Sequence, residues 1–266
     1  MSPLLSRILV AAAGLPVVLG AVHYGGAWIL ALTAVAALLA LHEFYRLIRP
    51  LRPVVIAGYL GTVGTLAGAA AGGPEWMVAG FLGTLPLAFL LKGISETRQS
   101  AVVAVGSTVL GVGWIGLGLA HVLLLRDLPE KGRLVLYAVL IAVFAADTAA
   151  FFAGRLIGRH RMAPEISPGK TWEGFFFGSA AAIFAAWIVL YKVDYAVTGW
   201  RALVLGAVIA VAAALGDLFE SLVKRDMRVK DTGRLLGGHG GILDRIDSLL
   251  FAAAAGFYTV VAFGGA

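Results

Sequence analysis

Long apolar runs recur along this chain with barely a charge inside them, and no other feature constrains its fold as tightly. A helix needs ~20 apolar residues to cross a bilayer. Runs of about that length stand near 6–22, 26–48, 53–71, 76–92, 101–125, 134–157, 173–191, 201–223 and 242–263. Only 14% of the 266 residues are charged and 60% are hydrophobic, against ~25% charged in soluble domains. So few charges cannot cover a soluble surface, and lipid must be the solvent for most of it. Backbone in lipid must bond internally, which leaves helices for segments this long. The expected fold is therefore all-α, a polytopic bundle of about nine transmembrane helices. The short runs at 53–71 and 76–92 are expected to tilt or to re-enter in part. Interior Pro16, Gly61, Gly64, Pro86, Gly111 and Gly113 are tolerated in lipid, and Gly64 with Gly68 forms a GxxxG pair that reads as close helix packing.

Basic residues orient such a chain. With a cytoplasmic N-terminus, 16 of the 21 Lys and Arg fall on the cytoplasmic side. They are Arg7, Arg46, Arg49, Arg52, Lys92, Arg98, Arg155, Arg159, Arg161, Lys170, Lys224, Arg225, Arg228, Lys230, Arg234 and Arg245. Arg126, Lys131, Arg133, Lys192 and Arg201 remain on the other side. This asymmetry, in a multi-pass cell-membrane protein, accounts for the net charge of +6. No basic stripe with stacking aromatics stands outside the apolar runs, so no nucleic-acid partner is expected. Cysteine is absent, which excludes disulfides and thiolate metal sites. The first twenty residues have the pattern of a signal peptide, but the immediate return of a second apolar run favours a retained first span.

The acids are unevenly placed. Before residue 130 the spans are nearly free of ionisable groups, and Glu43, near a helix end, is expected to reach water. The last four spans hold Asp147, Asp217, Glu220, Asp244 and Asp247. Residues 1–130 therefore read as a transmembrane scaffold and 131–266 as a catalytic transmembrane domain. Intramembrane acids are costly and functional by default. For Asp147, deep in its run, the functional reading leads, and a buried hydrogen-bonded carboxyl is the alternative.

Asp217 to Asp247 concentrates 12 of the chain's 36 Asp, Glu, Lys and Arg residues. Asp217, Glu220 and Lys224 are spaced i, i+3 and i+7 and share a helix face, as do Asp244, Asp247 and Ser248. Four carboxylates meeting at the rim of a bilayer cannot all stay ionised alone. Either some are protonated or a cation lies among them, and oxygen ligands without His or Cys favour magnesium over zinc. The intervening Lys224, Arg225, Arg228, Lys230 and Arg234 suit phosphate oxygens. The glycine turn around His239, with Gly240 and Gly241, leads into a helix start whose N–H groups favour an anion. Metal carboxylates beside phosphate-binding groups point to a nucleotide site. The alternative, a basic loop that only fixes topology, leaves the acids unexplained. His239 alone reads equally as a hydrogen-bonded loop histidine.

A second polar stretch, PEISPGKTWEG, runs from Pro164 to Gly174. Its GKT is not a P-loop, because Pro164 stands where that motif needs its first glycine. Ser167, Lys170, Thr171 and Glu173 read as polar lining on the cytoplasmic side. Thr171 also reads as a helix cap with Glu173 in the first turn, and the two readings are compatible.

The ordered run Ser221-x2-Lys224-Arg225-x4-Lys230-Asp231-x-Gly233-x2-Leu236-x2-His239-Gly240-Gly241-Ile242-x-Asp244-Arg245-Ile246-Asp247 resembles the signature of CDP-diacylglycerol synthases, the phosphatidate cytidylyltransferases. The segments DTAAFFAGRLIGRH and SPGKTWEG are similar to that family too. The resemblance covers about residues 144–250, and the first half matches in hydropathy only. Gly169 stands where the family often has Lys and Gly237 where it often has Pro; neither change removes a carboxylate. The resemblance implies condensation of CTP with phosphatidate to CDP-diacylglycerol and pyrophosphate. It also implies magnesium, a second, monovalent cation such as K+, and a homodimer. By motif match the metal carboxylates fall on Asp217 and Asp244. Catalytic roles then extend to Lys224, Arg225 and Asp247. Substrate contacts are expected at Asp147, Ser167, Lys170, Thr171, Glu173, Glu220, Ser221, Lys230, Asp231, His239, Gly240, Gly241 and Arg245.

Two other readings compete. A CTP-dependent polyprenol or lipid kinase would attack the γ-phosphate and need a base for a neutral hydroxyl, with Asp147 or Glu220 available. A cation-coupled transporter would use the intramembrane acids for ions, but no internal repeat of the kind common in transporters is visible.

Overall fold

A computed structural model of the chain describes residues 3–95, 100–233 and 240–265. Its helices follow the apolar runs: α1 (Pro3–Tyr24), α2 (Gly26–Leu47), α3 (Val55–Ile94), α4 (Ala101–Gly111), α5 (Leu117–Arg126), α6 (Gly132–Leu156), α7 (Trp172–Val189), α8 (Trp200–Asp226) and α9 (Leu243–Ala262). A π-helical turn at Val112–Gly116 joins α4 to α5, so Ala101–Arg126 forms one apolar run of 26 residues. Among the described residues seven helices are long and apolar enough to cross a membrane, and α1 adds a shorter apolar stretch, Gly14–Tyr24. The chain is thus a polytopic helical membrane protein.

The runs expected at 53–71 and 76–92 share the 40-residue α3, which turns at Gly73 (φ 76°, ψ −159°), directly before Pro74. That backbone conformation is open essentially to glycine alone. The two expected runs are thus the two limbs of α3, separated by this non-helical turn. The other departure from all-helical structure is a short antiparallel hairpin, β1 (Arg161–Ala163) with β2 (Ser167–Thr171), which pairs Arg161 with Thr171 and Ala163 with Ser167. Its polar, glycine- and proline-containing sequence carries no period-2 apolar pattern, so it was not legible as strand.

Packing divides the chain into two compact units, Met1–Leu124 with Val229–Ile246, and Leu125–Arg228 with Asp247–Ala266. This is a division by packing, distinct from the functional division expected at residue 130. Its notable feature is that Val229–Ile246 groups with the first unit.

In the first unit small residues let the limbs of α3 touch. A Cβ on Gly80 would lie 2.7 Å from the Thr65 amide nitrogen, and one on Gly68 would lie 2.5 Å from the Trp76 carbonyl carbon. The Gly64–Gly68 pair is thus spent on backbone contact, as small-residue motifs in membranes usually are. Tyr45 on α2 is buried, and its hydroxyl donates to the Thr108 carbonyl at 2.9 Å. The expectation that Glu43 reaches water is overturned. It is 2% exposed, because residues 233 and 241–243 fold over its end of α2, and its Oε2 accepts the Leu243 N–H at 2.9 Å.

The second unit holds α6, the hairpin, α7, α8 and α9 from Asp247 onward. Glycines again set the spacing. A Cβ on Gly178 would lie 2.7 Å from the Ala146 oxygen, on Gly174 2.8 Å from the Ala150 oxygen, and on Gly206 2.6 Å from Ile183 Cα. Phe144, Phe176, Phe184 and Leu215 point outward, the apolar exterior that a bilayer requires.

Candidate active site

The second unit contains an open cavity of about 700 Å³ lined by α6, the hairpin, α7 and α8, a volume suited to a small-molecule ligand. The helices contribute mostly glycine and alanine to it: Ala146, Ala150, Gly154, Gly174, Gly178, Ala210 and Ala213. Small side chains at these helix positions leave room for the space. Against this apolar wall stand Asp147, Arg155, Arg161, Ser167, Lys170, Thr171 and Asp217.

Each polar group is delivered by local structure. Thr171 ends β2 in an extended conformation, and its Oγ1 accepts the Gly174 N–H at 3.1 Å, capping α7. One turn in, Glu173 accepts the His160 backbone N–H and meets His160 Nδ1 at 2.6 Å, tying the entrance of the hairpin to the start of α7. The hairpin carries Lys170 to α8, where its Nζ lies 2.8 Å from Asp217 Oδ2. Arg225 Nε donates to the Ile166 carbonyl at 3.1 Å, so the end of α8 and the hairpin turn are held together.

Asp217, Glu220 and Asp247 form the one acidic group among the described residues able to share a metal ion: one oxygen of each lies within 4.8 Å of the others. Glu220 and Asp247 are buried. Lys224, one turn further along α8, forms an ion pair with Glu220. Ser221 Oγ donates to Asp217 Oδ1 at 3.4 Å, and the Ser248 N–H donates to Asp247 Oδ1 at 2.8 Å. Three carboxylates this close, Asp217, Glu220 and Asp247, repel one another, and a bound cation would relieve that repulsion beside the ammonium groups of Lys170 and Lys224. The donors are all hard oxygens, which fit magnesium.

The remaining expected residues lie in the first unit. Asp244 sits in the first turn of α9. Its Oδ2 accepts from the Gly241 N–H at 2.7 Å, the Thr232 N–H at 3.1 Å and the Thr232 hydroxyl at 2.9 Å. Lys230, Asp231 and Arg245 are exposed. Gly240 adopts φ 78° beside Asp244. His239, Gly237, Gly238 and Arg234, like Arg98, lie outside the described residues. The structure thus brings together Asp147, Ser167, Lys170, Thr171 and Asp217 on one cavity, with Glu220, Ser221, Lys224 and Asp247 adjoining. Sequence reasoning counted Arg155 and Arg161 only as topology signals. Their place on the cavity depends on the hairpin, which the sequence did not announce.

A polytopic helical membrane protein with an acidic cluster beside a cation-lined cavity is the class these observations define. The sequence profile of the cytidylyltransferase family matches residues 5–263, and the chain belongs to that family. It is 39% identical over 181 residues to the phosphatidate cytidylyltransferase of Staphylococcus epidermidis, which is 66% of this chain and 68% of that one. It is 38% identical over 177 residues to the enzyme of that name in Brucella suis (64% and 63%). Over 127 residues it is 45% identical to that of Mycobacterium bovis (48% and 41%).

Proposed function

We propose that this chain is a phosphatidate cytidylyltransferase, condensing CTP with phosphatidate to CDP-diacylglycerol and pyrophosphate in phospholipid synthesis. The observation that carries the reading is the Asp217–Glu220–Asp247 cluster, joined through Asp217 and Lys170 to a cavity rich in glycine and alanine. It sits in a chain whose relatives bear that name.

The reaction needs little from the protein beyond position and charge. An oxygen of the lipid phosphate attacks the α-phosphorus of CTP, and the bond from that phosphorus to the β-phosphate oxygen breaks. Pyrophosphate leaves with the electron pair. The attacking phosphate is already ionised near neutral pH, so no strong general base is required. Holding two anions together in line is the main task. Lys170, Arg155 and Arg161 on the cavity, and Lys224 and Arg225 at its edge, offer the cationic donors for phosphate oxygens. Arg225, bonded to the Ile166 carbonyl, also keeps the hairpin against α8.

Magnesium is the expected cofactor. Asp217, with Glu220 and Asp247 beside it, would hold the ion, and the family signature adds Asp244, three residues before Asp247 on α9. Once bound, such an ion neutralises charge on the phosphoryl oxygens. A monovalent cation, a homodimer, and an N-terminus and active site on the cytoplasmic side of the cell membrane complete the proposal. They rest on the resemblance and on the basic loops.

The test is pyrophosphate release by the purified protein in detergent with magnesium and CTP. Release that requires phosphatidate and is not supported by diacylglycerol or polyprenol is the expected outcome. Phosphorylation of a neutral lipid alcohol with release of CDP would replace the proposal with the kinase reading.

A further inference from the structure

Glu43 lies far in sequence from every residue the reaction employs, on α2, yet it is among the most buried charged groups of the first unit. Its carboxylate meets the start of α9, where Oε2 accepts the Leu243 N–H at 2.9 Å across 200 residues of sequence. The first amides of a helix have no partner within it, and the positive end of the helix dipole favours a carboxylate there. The backbone closes round this group from two directions. A Cβ on Gly233 would lie 2.7 Å from Glu43 Cδ, and one on Gly241 2.6 Å from the same atom. Neither position has room for a side chain while Glu43 is in place. On the next residue after Leu243, Asp244 gathers the Gly241 and Thr232 N–H groups and the Thr232 hydroxyl on its Oδ2. One carboxylate on α2 and one on α9 thus fix the same short stretches of backbone.

We infer that Glu43 is a positioning residue for the reaction: it holds the first turn of α9, and through it sets the carboxylate of Asp244. The inference rests on the reading above for the role of Asp244, but not for the contact itself. Reach matters here more than charge. A glutamine keeps an oxygen at the same distance from Leu243 N–H, while an aspartate keeps the charge and withdraws it by one methylene.

Three full-length variants in detergent decide the matter: Glu43→Gln, Glu43→Asp and Glu43→Ala. Turnover is measured with CTP, phosphatidate and magnesium, and amide hydrogen exchange is followed over residues 240–246. Glu43→Asp and Glu43→Ala should lose at least tenfold in kcat, with KM for CTP within threefold of wild type. Exchange at the start of α9 should quicken tenfold or more. Glu43→Gln should restore kcat to within threefold and restore slow exchange. A merely structural role would instead lower the yield of folded protein and leave kcat per folded molecule unchanged, and that result overturns the inference. So does an active Glu43→Asp beside an inactive Glu43→Gln, which would make charge the requirement. If Glu43→Ala is not recovered folded, the Asp and Gln pair decides alone. Failure of the functional reading is seen separately, as a wild-type protein that forms no CDP-lipid, and the exchange measurement still tests the contact.

Discussion

Lys170 and Asp217 meet at 2.8 Å on the cavity, and the account makes both act on phosphate chemistry, one as a donor and one as a metal ligand. Lys170→Ala is expected to lower kcat about 100-fold, the scale for removing one oriented charged donor, with the protein still inserted and folded. Steady-state rates beside a quantified fluorescence size-exclusion peak check this. Asp217→Asn and Asp244→Asn each keep shape and remove charge. Each should abolish nearly all turnover, and the double variant should be scarcely worse than either single, as for residues acting as one unit. Near-normal turnover in either at limiting magnesium would shift attention to Glu220 with Asp247. These residues differ in how legible they were. The acids announced themselves because charge inside an apolar run is costly, and Glu220 and Lys224, expected on one helix face, are there joined as an ion pair. The partner of Asp217 was not legible, since Lys170 reaches it from a hairpin without strand character. Glu43 was misread as solvent-exposed because its surroundings are backbone from the other end of the chain.

The elements that carry these groups depend on small residues and on one cap. Gly178 faces the Ala146 oxygen, a backbone atom that cannot step aside as a side chain can. Gly178→Ala is therefore expected to destabilise by about 1–3 kcal/mol, the usual range for overpacking. It should be read as a lower midpoint in a thermal melt in detergent. Thr171→Ala removes the acceptor of the Gly174 N–H and should cost about 0.5–2 kcal/mol, with Thr171→Ser largely neutral. The cap was legible from the pattern of Thr171 before an apolar run with Glu173 behind it, and the helices were legible from apolar runs at spanning length. The hairpin at 161–171 was not, because it owes its shape to contacts with α6, α7 and α8, beyond any local period.

For the whole molecule the account requires CTP to arrive from the cytoplasm and phosphatidate from the bilayer. The cysteine-free chain allows a direct check of sidedness. Glu165 in the hairpin turn and Asp194 beyond the far end of α7 are both exposed. Glu165→Cys should react with an impermeant maleimide only from the cytoplasmic side of sealed vesicles, and Asp194→Cys only from the opposite side. Labelling of both from one side would refute the arrangement of basic loops on which the orientation rests. The central claim concerns which phosphorus atom is attacked. Its most direct measurement is the transfer of radiolabel from CTP into lipid by the purified protein, with phosphatidate and magnesium present. Label at the α-phosphate is expected to enter the lipid fraction, and label at the γ-phosphate to leave entirely as pyrophosphate. Lipid labelled from the γ-phosphate would contradict it.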